Sequence, residues 1–136
     1  MRPISPFLLV CLSTAVLLAT VPISSQIDRP HPLTVLLAGA QADLPLLQGA
    51  PQTAGMRSGF VSLLPGATVG WHTTGKNEES LVILHGQGEA LIDGQASKPF
   101  IAPAFVYIPP ATRHNVANTG KEPLEYVYVV ALAKAQ

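Results

Sequence analysis

Two of the four histidines in this chain lie beside turns where an imidazole could meet a carboxylate. His72 precedes the loop at residues 73–77, and the acidic pair Glu78–Glu79 follows at the start of the next apolar segment. A strand ending at His72, a turn at Gly75 and a returning strand would place imidazole and carboxylate side by side across a hairpin. Because the two glutamates are adjacent, strand alternation directs only one of them toward the histidine.

His114 offers a second imidazole in a similar position. It follows the turn formers Pro109–Pro110 and is therefore expected at the start of a strand. Two histidines and one glutamate on neighbouring strand ends would form a metal site with open coordination positions, an arrangement typical of non-haem Fe(II) chemistry. The other two histidines do not fit: His31 lies between two prolines, and His85 is roughly 20 Å along the strand from Glu79.

Short strands are the elements that must position these residues. The apolar segments are brief, several are rich in Val, Ile, Phe and Tyr, and turn formers such as Asp93–Gly94 separate them. The segments lie at residues 33–38, 59–64, 81–84, 90–92, 105–108 and 124–132. This spacing predicts one all-β domain, a sandwich or barrel, of about eight to ten strands.

The composition excludes several other classes of protein. The chain has 13 prolines and 11 glycines among 136 residues, which interrupts it too often for a helical bundle. Charged residues make up 12% and hydrophobic residues 48%, which excludes a disordered polypeptide. The formal net charge is zero, whereas a protein that binds nucleic acid needs a clustered basic excess, so no nucleic-acid partner is expected.

The first 25 residues have the pattern of a secretory signal peptide. Arg2 supplies the positive charge, residues 7–21 are uncharged and largely apolar, and small residues precede a polar start at Gln26. The alternative is an uncleaved anchor, the one case in which the membrane would be a partner, although Pro22 interrupts the segment. Cys11 is the only cysteine, so the exported, periplasmic or secreted chain would contain none.

Two spaced patterns in the chain resemble the two motifs of the cupin superfamily. The first is Gly66-x5-His72-x-Thr74-x4-Glu79-x6-Gly86. The second is Pro109-x-Ala111-x2-His114-x3-Asn118. Together the patterns span residues 66–118, so the resemblance is to a small single-domain cupin.

The resemblance implies an all-β fold, a single jelly-roll barrel whose metal site is held by His72, Glu79 and His114. The barrel would occupy residues 56–136, after a signal peptide at 1–25 and an extended leader at 26–55 that adds one edge strand. The cofactor would be a divalent ion of Fe, Mn, Ni, Cu or Zn, since ligand type alone does not choose among them. The family resemblance also implies a homodimer.

The chain departs from the family pattern at three positions, one of which is Pro103, where a glycine is expected six residues before Pro109. Thr74 stands where the first motif has its second histidine, on the same strand face as His72. Either the site works with three protein ligands and additional water, or metal binding has weakened toward loss. Ala111 stands where the second motif has a glycine, which is a change of turn residue.

Two functions are consistent with these residues, beside a purely structural role as a dimerisation unit in which apolar strands such as residues 124–132 pair between chains. The first is a metal-dependent enzyme with oxygenase, decarboxylase or isomerase chemistry on a small organic molecule, as the resemblance suggests. The alternative is a non-catalytic module that captures a small ligand or a metal, which Thr74 and the lack of a recognisable general base favour. Four aromatic residues could line a pocket, namely Trp71, Tyr107, Tyr126 and Tyr128. Arg113, beside His114, could meet an anionic substrate.

Export makes a direct prediction. If residues 1–25 are a cleaved signal peptide, N-terminal sequencing of the secreted or periplasmic protein is expected to begin at Gln26. Recovery of the chain in a membrane fraction with Met1 intact would instead establish the uncleaved anchor.

Overall fold

The computed structural model describes residues 30–40 and 43–133, which form strands and loops. The predicted signal peptide lies outside the described residues. The strands are β1 (Leu44–Gln48), β2 (Arg57–Leu63), β3 (Asn77–His85), β4 (Gln87–Ile92), β5 (Lys98–Ile101), β6 (Ala104–Ile108), β7 (His114–Asn118) and β8 (Leu124–Leu132). No helix capable of crossing a membrane occurs in these two ranges.

The strands form two antiparallel sheets. The larger has the order β1-β2-β8-β3-β6 and the smaller the order β5-β4-β7. Strands that are distant in sequence lie side by side, since β2 pairs with β8 and β4 pairs with β7. The prediction of an all-β domain is confirmed, and the leader residues that the structure describes contribute the edge strand β1.

The core lies between the two sheets and follows from alternation along each strand. In β3, Leu81 and Ile83 are buried, whereas Val82 and Leu84 between and after them are exposed. Side chains of successive residues point to opposite faces of a strand, so every second residue enters the core. The buried cluster draws on both sheets and consists of Val61, Leu81, Ile83, Ala90, Phe100, Ile108, Val116, Leu124 and Tyr126.

Most of the predicted apolar segments are strands, and one is not. The segment at residues 124–132 matches β8, and Asp93–Gly94 lies in the hairpin loop between β4 and β5. The segment at residues 33–38 forms no strand and ends in a turn. This expectation was wrong because an apolar run forms a strand only where a neighbouring strand accepts its hydrogen bonds, which hydropathy does not reveal.

Gly86, the last residue of the first motif, joins β3 to β4 and cannot be replaced without rearrangement. Its φ is +82°, a conformation that favours glycine. A Cβ atom there would lie 2.5 Å from the carbonyl oxygen of Pro123, which is main chain and cannot rotate away. The close approach of two backbone segments therefore explains the glycine at this position.

Ala111 adopts a left-handed conformation with a φ of 57°, alone among the non-glycine residues in the described part of the chain. Its N–H donates to the carbonyl oxygen of Gly75 at 2.6 Å, which holds the turn before β7 against the loop after His72. The Cβ of an L-residue is crowded in this conformation, at a cost of about 1–2 kcal/mol. The turn before β7 thus has a conformation that favours glycine, although alanine occupies the position.

Replacing Ala111 by glycine is expected to stabilise the protein by about 0.5–1 kcal/mol, because relief of the left-handed strain exceeds the entropy that glycine adds to the unfolded chain. Denaturant unfolding measures the change. Ala131→Gly in β8 is the matched control and is expected to destabilise, since glycine weakens a strand. Equal destabilisation by both substitutions would contradict the strain at Ala111.

Candidate metal centre

His72 and His114 are brought together by a pair of backbone hydrogen bonds. The N–H of each residue donates to the carbonyl oxygen of the other, both at 2.9 Å, in an isolated antiparallel bridge. The two imidazole ring centroids are consequently 4.3 Å apart. β4 pairs with one edge of β7, and the segment that contains His72 pairs with the other edge.

Glu79 comes from the larger sheet, and this corrects the predicted hairpin. β3 pairs with β6 and β8, so Glu79 is opposite Ile108 and Val130 and not opposite His72. The chain crosses from one sheet to the other between His72 and Asn77. His72 and Glu79 are close together as predicted, but they meet across the barrel interior and not as neighbours in a hairpin.

The three side chains converge on one point. The Nε2 atom of His114 lies 3.2 Å from Oε2 of Glu79, and Nε2 of His72 lies 4.0 Å from the same oxygen. One ligand atom from each residue can be chosen so that all lie within 4.8 Å of one another. His72, Glu79 and His114 thus have the spacing of side chains that could share an ion.

The hydrogen bonds of the imidazoles leave their Nε2 atoms directed at this point. Nδ1 of His72 lies 2.9 Å from the carbonyl oxygen of Gly70, and Nδ1 of His114 lies 3.0 Å from that of Thr112. A carbonyl oxygen can only accept, so in the neutral form of each ring Nδ1 carries the proton and Nε2 presents a lone pair. Backbone partners of this kind orient histidines that bind metals.

Burial makes the cluster costly without a cation. His114 is 0% exposed and Glu79 is 5% exposed. Their contact is short but poorly aligned, and Nε2 of His114 and Oε2 of Glu79 have no hydrogen-bond partner among the described residues. An unpaired buried polar atom costs about 1–3 kcal/mol. A divalent ion would accept the lone pairs of both atoms, so the donor set fits a metal.

Thr74 stands where the motif has a second histidine, but its hydroxyl is not directed at the cluster. Its hydroxyl donates to the carbonyl oxygen of Asn77 at 3.0 Å, and the side-chain amide of Asn77 donates back to the carbonyl oxygen of Thr74 at 2.9 Å. Thr74 still borders the cavity. It closes the turn that leads into β3 and so helps to position Glu79.

Two asparagines beside the histidine of β7 hold the surrounding loops. The side-chain oxygen of Asn115 accepts the N–H of Gly70 at 2.9 Å, and the carbonyl of Gly70 in turn accepts from His72. Asn118, from the second motif, donates to the carbonyl oxygens of Leu63 and Glu122, both at 2.8 Å. Asn115 therefore helps to orient His72 through one residue, Gly70, whereas Asn118 holds loops against the barrel.

Several candidate residues lie away from the cluster. His85 is exposed at the end of β3, where its Nδ1 lies 3.1 Å from the carbonyl oxygen of Pro123. Glu78 faces outward and accepts a hydrogen bond at 3.0 Å from the hydroxyl of Tyr107, which raises the pKa of that phenol. Strand alternation turns Glu78 away from the interior. His85 has the same parity as Glu79 but lies six residues along β3, beyond the register shift after Ile83.

Trp71 and Arg113 form a surface pair beside the two histidines. The guanidinium carbon of Arg113 lies 5.0 Å from the centre of the Trp71 ring, and its Nη1 lies 3.5 Å from Oδ2 of Asp93. Arg113 is therefore already engaged by a carboxylate and an aromatic face. These contacts weaken its case as the group that would meet an anionic substrate.

A cavity of about 460 Å³ opens from the cluster into the barrel. Of the four aromatic residues that could line a pocket, Tyr126 and Tyr128 line this cavity together with valines from several strands, whereas Trp71 and Tyr107 do not. It also contains Asp43 and Arg57, two charged residues that the sequence analysis missed. Arg57 could have been found from the alternation Arg57, Gly59, Val61 in β2, which places it on the inward face, whereas Asp43 carries no such signal.

The fold and the cluster define a β-barrel with a candidate metal site at one end. A cupin-domain family model matches residues 59–130, more than half of the chain, so this chain belongs to the cupin family. No match to a curated protein was found.

Solved structures with a similar fold agree with this membership. A Cupin 2 conserved barrel domain protein from Salinispora arenicola is 28% identical, with a TM-score of 0.57 over 67% of this chain and 75% of its own. A protein from Bacillus halodurans is 20% identical, with a TM-score of 0.66 over 79% of this chain and 86% of its own. An RmlC-like cupin from Methanocaldococcus jannaschii, with a double-stranded β-helix fold, is 16% identical, with a TM-score of 0.62 over 75% and 91%. The predicted jelly-roll barrel is confirmed.

Acidity is expected to act in opposite directions on the metal-free and metal-loaded proteins. Burial alone would lower the pKa of His114, but the Glu79 carboxylate and the Thr112 carbonyl together raise it above its usual value. In the metal-free protein this stabilisation is present below the unfolded pKa of about 6.5 and is lost as pH rises through the raised pKa. A metal instead requires deprotonated imidazoles, so its stabilisation grows as pH rises.

Thermal unfolding between roughly pH 6 and 8 tests this prediction. The contribution of His114 is the difference in Tm between wild type and His114→Gln; it is expected to shrink with rising pH in EDTA and to grow in excess Zn(II). His85→Ala is the control and is expected to leave both trends intact. Parallel trends in the two solutions would show that the ion does not compete with protons at this cluster.

Proposed function

We propose that this cupin binds a divalent metal ion through His72, Glu79 and His114 and uses it to act on a small organic molecule. The observation that carries the proposal is the convergence of three ligand atoms within 4.8 Å. The carbonyl partners of the two imidazoles support it, because they leave both Nε2 lone pairs available. The first of the two predicted functions, a metal-dependent enzyme, is therefore the one we favour.

A divalent ion at this site would supply Lewis-acid chemistry or, if it were iron, activation of dioxygen. Glu79 would contribute one negative charge and the histidines none, so the ion's charge would be only partly neutralised. Three protein ligands leave coordination positions open toward the cavity. Valines on the cavity wall, among them Val61, Val69 and Val116, would limit the access of water to the bound molecule.

Non-catalytic capture of a ligand is the second candidate, and the proton-transfer groups of the cavity favour it. Apart from Glu79 and His72, the ionisable side chains lining it from the described residues are Asp43, Arg57, Tyr126 and Tyr128. Burial, followed by the charge of Glu79, raises the pKa of Tyr126, so its phenol stays neutral and is a poor base at neutral pH. General-base catalysis would have to use Asp43 or one of the residues that hold the metal.

Export and self-association complete the proposal. The N-terminal pattern supports a periplasmic or secreted location for the mature barrel. Phe105 and Tyr107 are 66% and 53% exposed on the outward face of β6, next to Val82 of β3. This exposed apolar surface supports a homodimer that forms through the larger sheet.

Elemental analysis of the purified protein tests the metal site. We expect about one ion per chain, either as isolated or after reconstitution with Fe(II), Mn(II), Ni(II), Cu(II) or Zn(II) in turn. Glu79→Gln, which keeps the shape of the side chain, and His72→Ala, at the partly exposed ligand, are expected to lower affinity more than the roughly 10–100-fold typical for loss of an outer partner. Far-UV circular dichroism verifies that each variant is folded.

His85→Ala is the matched control, because it removes a histidine from the same strand as Glu79 but outside the cluster. It is expected to keep the full metal content. A folded wild-type protein that takes up none of the five metals would end the proposal. Oxygen uptake and product analysis with phenols, diketones and sulfur acids then distinguish turnover from capture.

A further inference from the structure

Arg57 faces the cavity from the same row of residues as the ligand Glu79. The register of β2 and β8 places Arg57 opposite Val130, and that of β8 and β3 places Val130 opposite Glu79. Residues opposite one another on adjacent strands point to the same face. All three line the cavity. With about 4.8 Å between neighbouring strands, the backbones of Arg57 and Glu79 are roughly 10 Å apart.

The guanidinium of Arg57 has no partner within the described part of the chain. No carboxylate or hydrogen-bond acceptor of residues 30–40 and 43–133 pairs with its side chain. Its aliphatic stem lies along Gly49, where a Cβ atom would be 3.4 Å from the Arg57 Cγ atom. Arg113, in contrast, is held by Asp93 and Trp71. A planar guanidinium suits a carboxylate, which it can bind through two parallel hydrogen bonds.

The wall between Arg57 and the metal ligands is apolar and is shaped by Gly59. A Cβ atom at Gly59 would lie 2.6 Å from Cε1 and 2.7 Å from the hydroxyl oxygen of Tyr128. The phenol ring therefore rests on the β2 backbone, between the inward positions of Arg57 and Val61. Val130 adds to the same wall. A bound molecule that reached from the metal site to Arg57 would contact aromatic and aliphatic side chains along its length.

The charges around the cavity favour one negative charge on the ligand. A divalent ion and Arg57 would bring three positive charges, against the two carboxylates of Asp43 and Glu79. Asp43 immediately precedes β1, whereas Arg57 pairs with Gln48, the last residue of β1. Asp43 and Arg57 are thus at opposite ends of this ladder, roughly four residues or 13 Å apart along it. The excess positive charge lies at the Arg57 end.

We infer that the cavity binds a small monocarboxylate whose carboxylate pairs with Arg57 and whose apolar body lies against Tyr128 and Val130. The opposite end of the molecule reaches the open positions of the ion held by His72, Glu79 and His114. This inference rests on the proposed function, because the charge balance and the second anchor include the ion. The cavity volume of about 460 Å³ suits a single ring or a short branched chain.

Titration calorimetry with benzoate and benzamide tests the inference on the Zn(II)-loaded chain. The two probes have the same ring and shape, but only benzoate is charged. Wild-type protein is expected to bind benzoate more tightly than benzamide. Arg57→Gln is expected to weaken benzoate binding about 10-fold, as loss of a partly exposed charged hydrogen-bond partner does, without changing benzamide binding. Arg57→Lys, which retains the charge but not the planar fork, should fall between them.

Arg113→Gln is the matched control, since it removes a rim arginine that is already paired, and it is expected to leave benzoate affinity unchanged. Elemental analysis of every variant separates this inference from the metal site. Full metal content with no effect of Arg57→Gln, or with equal affinity for the two probes, would overturn the inference while leaving the proposed function standing. If the chain takes up no metal, the proposed function fails, and the same Arg57 comparison on the metal-free protein still decides whether Arg57 binds the carboxylate.

Discussion

The bridge between His72 and His114 is the constraint on which the candidate site depends. Two backbone hydrogen bonds of 2.9 Å fix the separation of the two chain segments before any side chain is placed. Each ring then needs only one further contact, at Nδ1, to hold its orientation, and a carbonyl within two residues supplies it. The placement of the two imidazoles is therefore set almost entirely by main-chain hydrogen bonds.

Glu79 enters this arrangement from the opposite sheet, so the site also depends on how the two sheets face one another. Along β3 the inward positions change from Glu79 to Leu81 and Ile83. The carboxylate thus occupies the end of a strand whose next inward residues build the core. The apolar residues of β3 hold the two sheets together. Oε2 of Glu79, a polar atom with no hydrogen-bond partner among the described residues, lies at the end of the strand.

The loop between His72 and β3 contains one of the departures from the cupin motif pattern, and its hydrogen bonds are made within the loop itself. Thr74 uses its hydroxyl to close the turn with Asn77, so the position of a fourth ligand has acquired a structural role. Ala111 keeps a left-handed turn, and the hydrogen bond from its N–H to Gly75 ties that turn to the same loop. Three protein ligands would leave more of a bound ion accessible from the cavity, whose other polar groups include Asp43, Arg57 and the two tyrosines.

Most of the strands, the hairpin at Asp93–Gly94 and the three side chains of the candidate site could be predicted from the sequence. Alternation, turn formers and motif spacing are local properties, and local properties are readable along a chain. Which strands are neighbours depends on the tertiary structure. His72 pairs with His114 instead of Glu79, and residues 33–38 form no strand. The tertiary structure also brought Arg57 into the cavity across two ladders. Such pairings depend on contacts between residues far apart in sequence, whose energies no local pattern records.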